Sequence, residues 1–198
     1  MALRIKDNKT RYFIAWTILS SIFIPIGAIL GFSIDSNIHS KLGYGGQIGP
    51  PLIQTVDYCI WISVVGAVIS LKQWLLLRRR IKVSLLWIFA CIGGIVISEI
   101  VAGIVLWKLN IYRADLSTYQ RGSILAEALI FLFSGALIGT FQFLLLRRNY
   151  NKAGLWILAY CIGWGLMPVF IIFFGGVLFG AITGATLIWI LQKKEDSS

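Results

Sequence analysis

Glu99 is the one carboxylate set deep inside an apolar run, in the stretch Ile95-Val-Ile-Ser-Glu-Ile-Val101. A charge in such surroundings is costly, and acids kept there mark solute paths, proton relays or buried ion pairs. Counted from the basic turn before its helix at about 1.5 Å per residue, Glu99 lies roughly 20–25 Å in, within the outer half of a bilayer. Asp57 and Glu127 stand near the outer ends of two other apolar runs, at nearly equivalent places. The three acids together form the candidate solute site. Blander roles compete for each of them. Glu99 could reach the interface or pair with Lys108, Arg113 or Arg121, and first-turn acids such as Asp57 and Glu127 complement a helix dipole.

Other chemistry is sparse. His39 is the only histidine, and Cys59, Cys91 and Cys161 stand singly in apolar stretches, without metal-ligand spacing. The chain has no phosphate loop, HExxH or GxSxG motif. No catalytic residue, metal or cofactor is expected, and the chain is read as a non-enzyme.

The elements that must position the acids are helices crossing a membrane. The chain has 198 residues, 58% hydrophobic and 13% charged, with a mean hydropathy of +0.84, outside the soluble range. A span needs about 20 mostly apolar residues. Six segments qualify, at about 12–32, 53–77, 84–107, 123–146, 155–174 and 176–191, the last two joined by a tight turn at Gly175-Gly176. All six must be helical, since unpaired backbone groups cannot face lipid. The linker from Ser33 to Pro51, rich in glycine at its end, is expected to be a loop. The whole of 1–198 is read as one integral membrane domain.

Residues 66–94 are written again at 135–163, with a constant offset of 69 and no gap. Gly, Ala, Gln, Leu-Leu-Leu-Arg-Arg, Leu-Trp-Ile, Ala and a final Gly coincide. Each copy is an apolar stretch, a basic turn and another apolar stretch, hence a helical hairpin. Gly66, Ser70 and Gln73 share one helix face with the 4-then-3 spacing of Gly135, Gly139 and Gln142, and Gly180 and Gly184 carry a worn copy without the glutamine. Small residues four apart let helices approach closely, and a glutamine on the same stripe can bond across the contact. The expected fold is therefore all-α: a six-transmembrane-helix bundle of parallel helical-hairpin repeats, with a degenerate third unit from helices six and one. Spans two, four and six should lie close to its axis.

Charge sets the orientation. Thirteen basic residues fall on one side: Arg4, Lys6, Lys9, Arg11, Arg78, Arg79, Arg80, Lys82, Arg147, Arg148, Lys152, Lys193 and Lys194. Both termini are thus expected in the cytoplasm. Trp16, Trp74, Trp87, Trp156 and Trp189 should ring the inner interface, with Trp61 and Trp107 at the outer one. Lys72, within a span, should snorkel to the basic side. Arg78–Arg80 and Arg147–Arg148 suit anionic lipid headgroups or a partner protein. That placement explains the net charge of +10 without nucleic acid.

The element Gly-Ala-x-x-Gly/Ser-x-x-Gln-Trp/Phe-Leu-x-Leu-Arg-Arg at 66–79 and 135–148 resembles small uncharacterised multi-pass bacterial membrane proteins with repeated Gln-Trp helices. With the returning helices the likeness covers about two-thirds of the chain. It implies a bacterial cytoplasmic-membrane protein and no particular activity. In size, span number and inside termini the chain also resembles the substrate-binding subunits of energy-coupling-factor vitamin transporters, by architecture alone. Two functions follow as expectations: a bundle that binds or moves a small solute near Glu99, or a scaffold docking lipids, membrane subunits or a second copy of itself.

Overall fold

A computed structural model describes residues 2–41, 51–81, 83–108, 121–170 and 172–192. Among them are six helices and no strand: α1 (Ala2–Lys41), α2 (Pro51–Leu77), α3 (Leu86–Lys108), α4 (Arg121–Leu146), α5 (Leu155–Gly165) and α6 (Ile172–Gln192). Five contain stretches long and apolar enough to cross a membrane: Lys9–Ile38, Cys59–Leu77, Leu86–Val105, Ala128–Leu146 and Phe174–Leu191.

Helix α5 has only 11 residues, well short of the ~20 a span needs, so the fifth span expected at 155–174 is corrected: it is not one continuous helix. Pro168 supplies the reason. It has no N–H to offer Trp164, and its ring disfavours helical backbone at Met167. The chain tightens instead, Met167 N bonding the Trp164 carbonyl at 2.9 Å and Val169 N that of Leu166 at 3.2 Å. Helix α6 then begins at Ile172, so Gly175 and Gly176 lie within a helix and make no turn. A methyl placed on Gly176 would stand 3.1 Å from the Ser21 Cα, which shows what the glycine does there: it brings α6 against α1. The loop expected from Ser33 is corrected as well, because α1 continues to Lys41. The glycine-rich residues 42–50 and the His39 side chain lie outside the described residues.

Each helix packs against its neighbours in sequence, and α6 closes onto α1, giving a ring of six. Among the described residues the backbones of α2, α4 and α6 do not approach one another closely, so their small residues do not meet on a common axis. They face the next helix instead. Gly66 abuts Ile95 and Cys91 of α3, Gly139 abuts Ile157 of α5, and Gly180 abuts Thr17 and Ser20 of α1. The other seams are equally close, with Gly27 against Val65, Gly94 against Ile138 and Gly163 against Phe179. Close backbone approach is thus spent on all six seams, and the ring's interior is filled by side chains.

The two basic turns have the same geometry. Arg78 N bonds Trp74 O and Arg80 N bonds Leu77 O; 69 residues on, Arg147 N bonds Phe143 O and Asn149 N bonds Leu146 O. The next residue in each turn also bonds back, Ile81 N to Leu77 O and Tyr150 N to Leu146 O. Burial raises the Tyr150 hydroxyl above the ordinary tyrosine pKa.

Polarity is distributed as hydrocarbon surroundings require. Ile14, Ile18, Ile22 and Ile26 form an exposed stripe on α1, and Ile97, Ile100 and Ile104 are exposed on α3. The buried set includes Ser20, Ser70, Lys72, Gln73, Glu99, Gln142 and Thr183. A water-soluble bundle shows the reverse pattern.

Candidate functional site

Three tryptophans expected at the interface lie wholly inside the ring: Trp16, Trp87 and Trp156 are all fully buried. Each sits near the basic end of its helix and donates its indole N–H to a neighbouring helix. Trp87 donates to Gln73 Oε1 at 3.2 Å, Trp156 to Gln142 Oε1 at 2.8 Å, and Trp16 to Thr183 Oγ1 at 3.0 Å. The first two pairs have the same separation of 14 residues. Their rings also touch, Trp87 and Trp156 with centroids 5.7 Å apart and Trp16 and Trp156 at 6.3 Å. Of the other interface tryptophans, Trp189 is exposed and Trp74 half-buried, bonding Val83 O at 3.2 Å. The Trp107 side chain lies outside the described residues.

Gln73 has a second donor. Tyr160 OH reaches across the ring from α5 to Gln73 Oε1 at 2.6 Å. An indole nitrogen only donates, so both glutamine oxygens must face their tryptophans and the amide orientations are fixed. The Nε2 groups of Gln73 and Gln142 are buried without a hydrogen-bond partner. This aromatic and amide layer closes the bundle at its basic end.

Lys72 does not snorkel. It is 2% exposed, donates from Nζ to Ser20 Oγ at 2.6 Å and lies over the Trp16 ring, 4.4 Å from the centroid. One residue from the inward-facing Gln73, it is turned about 100° round α2, toward α1. A hydroxyl and an aromatic face are the polar contacts that hold it. Sequence spacing does not reveal this, because Lys72 is near enough to Arg78 for either outcome.

Toward the other end of the ring the interior holds Glu99. Glu99 is 2% exposed, so it neither reaches the interface nor faces lipid. It lines a small space with Ile62 of α2, Ile95 of α3, Phe131 and Ser134 of α4, and Trp164 of α5. In this conformation that space does not admit a water molecule. Ser134 donates its hydroxyl to Ile130 O at 2.9 Å, which leaves its oxygen as an acceptor. Trp164 is 1% exposed, and its indole N–H has no hydrogen-bond partner. Phe131 and Trp164 are in contact as a tilted pair, centroids 5.7 Å apart and planes at 39°. Just beyond Trp164 the α5 helix ends, at Gly165.

The other residues singled out from sequence do not join this site. Asp57 and Glu127 belong to α2 and α4, but their side chains lie outside the described residues, as do those of Lys108, Arg113 and Arg121. Arg78, Arg79, Arg80, Arg147 and Arg148 are exposed at the basic turns. Arg78 stacks on Trp74 at 4.7 Å and Arg80 on Tyr12 at 4.3 Å. No group of three potential metal ligands occurs among the described residues. Comparison with protein-family models, with curated proteins and with solved structures gives no match for this chain.

Proposed function

We propose that the chain is a multi-pass protein of the bacterial inner membrane that binds or moves a small solute at the interior site around Glu99. One observation carries this reading. A buried glutamate side chain lines an interior space together with Ser134 and with Trp164, whose indole N–H is unpartnered, and burial of polar groups in such surroundings is expensive and marks function. The space there is closed, so binding requires the helices to part. The break after Gly165 supplies a place for that motion, as interrupted helices do in transporters.

The scaffold that moves is read as three parallel hairpins, α2–α3, α4–α5 and α6–α1, about an axis along the membrane normal. The recurring tryptophan-to-acceptor bond supports this, with Thr183 replacing the glutamine in the third unit. The basic turns and both termini then face the cytoplasm. A reporter fused after Ser198 should be active as a cytoplasmic fusion and silent as a periplasmic one; periplasmic activity overturns the orientation. Asp57 and Glu127, by position on α2 and α4, would be the outer neighbours of the site.

A second reading is favoured by the exposed guanidinium groups of Arg79, Arg147 and Arg148. In it the protein is a non-enzymatic scaffold, docking anionic lipid, other membrane subunits or a second copy through its basic turns. Thermal stabilisation across a metabolite panel separates the two. Under the solute reading at least one metabolite raises the melting temperature of the wild type in detergent and fails to do so for Glu99→Gln, which keeps size and hydrogen bonding. A panel in which nothing stabilises the wild type, or in which both proteins respond alike, leaves the scaffold.

A further inference from the structure

The hairpin of α5 and α6 is the low stretch of the ring's wall. We infer that its tip ends within the hydrocarbon of the leaflet opposite the basic turns, and that acyl chains of a phospholipid in that leaflet fill the notch above it, between α4 and α1. This goes beyond the solute reading and needs no ligand at Glu99.

The notch follows from which residues meet across the seams. Helix α5 runs up α4 with Tyr160 at Gly135, and a methyl on Gly165 would stand 3.2 Å from the Leu132 Cβ. Helix α6 lies along α1 with Gly180 at Ser20 and Gly176 at Ser21, and it begins only one turn beyond Gly176, at Ile172. Past that level α4 continues to Arg121 and α1 to Lys41, roughly 10–20 Å further. Among the described residues the backbones of α1 and α4 do not approach each other, and no helix stands between them there.

Three observations put hydrocarbon around the tip. From Leu155 to Phe170 the chain rises about 23 Å at most, short of the ~30 Å apolar core of a bilayer. Leu166–Phe174 contains no polar side chain, yet Val169 and Phe170 are 55% and 41% exposed. The backbone is also fully accounted for. Leu166 N bonds Ile162 O, Met167 N bonds Trp164 O, Val169 N and Phe170 N both bond Leu166 O, and Pro168 has no N–H. A turn among headgroups could leave such groups to water; one in hydrocarbon cannot.

The flanks favour lipid over a protein neighbour. Helices that pack in membranes offer small residues to each other. Here Phe32, three turns along the same α1 face as Ser21, is 67% exposed, and Leu132 is 43% exposed with Gly165 against it. Bulky side chains of this kind suit fluid acyl chains.

Depth-dependent quenching tests the assignment. In a background with Cys59, Cys91 and Cys161 replaced by alanine, Val169→Cys, Leu132→Cys, Ile22→Cys and Asn37→Cys are each labelled with bimane in phosphatidylcholine vesicles. Ile22 is on the exposed α1 stripe, and Asn37 is exposed near the far end of α1. Lipid carrying a nitroxide on its acyl chain should quench the labels at 169 and 132 as it does that at 22, whereas quenching by aqueous iodide should be lost at all three and kept at 37. Iodide quenching at 169 overturns the proposal, since the tip then stands in water. If 22 responds to the nitroxide lipid while 169 or 132 responds to neither reagent, protein covers the notch and the lipid is wrongly assigned. If 22 fails as well, the membrane reading falls and takes the notch with it.

Discussion

Replacing Gly135 by alanine should cost more stability than any other single-methyl change in this bundle. A methyl there falls against the Tyr160 carbonyl oxygen and lies 2.9 Å from the Trp164 Cβ. Neither atom is the free end of a flexible side chain, so α4 and α5 must separate. Overpacking of this kind costs about 1–3 kcal/mol and sometimes more. The seam it opens also carries Trp156 and Tyr160, which hold the inner layer. Gly93→Ala is the matched control, since a methyl at Gly93 meets nothing within 4 Å. Alanine is the better helix former by about 1 kcal/mol, so that variant should melt at or above the wild-type temperature. Melting in detergent compares the two directly. Equal losses would mean that seam contact is not what the stripe glycines supply. Gly139→Leu, aimed at the Ile157 Cα only 2.9 Å from a methyl at that position, should prevent folding outright.

The second large effect concerns the two glutamines, whose roles are matched in sequence and unequal in space. Gln73 Oε1 accepts from both Trp87 and Tyr160, whereas Gln142 Oε1 accepts one bond, from Trp156. Each buried donor left without an acceptor costs about 1–3 kcal/mol. Leucine at either position also removes an unpartnered Nε2, which offsets part of the loss equally in both. Gln73→Leu should therefore be the more destabilising, by roughly the cost of one orphaned donor, about 1–3 kcal/mol. Adding Tyr160→Phe to Gln73→Leu should recover part of that difference, while adding it to Gln142→Leu should recover less. Additive behaviour in the first pair would show that the Tyr160 bond contributes nothing across the ring.

These two cases show how far the amino-acid sequence carries. The offset of 69 makes Trp87 and Trp156 equivalent, and Gln73 and Gln142 likewise, because duplicated segments share local geometry. It does not reveal that tryptophan and glutamine bond one another. Aromatic residues beside a basic turn are ordinarily interface anchors, and that prior places three core tryptophans on the surface. The pairing was readable only from a donor and an acceptor repeated at the same separation of 14 residues. Trp16 escapes even that signal, because its acceptor Thr183 is 167 residues away. The length of α5 failed for a different reason. Pro168 is compatible with a kink or a stop, and the choice depends on whether neighbours hold the next turn. Here Met167 and Val169 form tight turns instead. Lys72 shows the limit of counting residues to the interface, since reach decides whether a lysine can snorkel and the facing helix decides whether it does. Glu99 was legible as costly, but the orphaned indole beside it was not, because Trp164 lies 65 residues away on another helix.

The central claim is that Glu99 faces a solute-accessible interior and not lipid, and thiol chemistry tests it most directly. In a background with Cys59, Cys91 and Cys161 replaced by alanine, Glu99→Cys and Ile97→Cys are compared in intact cells. Ile97 is exposed on α3 and serves as the lipid-facing control. A membrane-impermeant cationic methanethiosulfonate should modify the Glu99→Cys variant slowly, as the closed space opens, and leave the Ile97→Cys variant untouched. A lipid-soluble maleimide should show the opposite preference. If the variant at 99 resists the polar reagent and takes the maleimide as fast as the variant at 97, Glu99 faces lipid and the interior site does not exist.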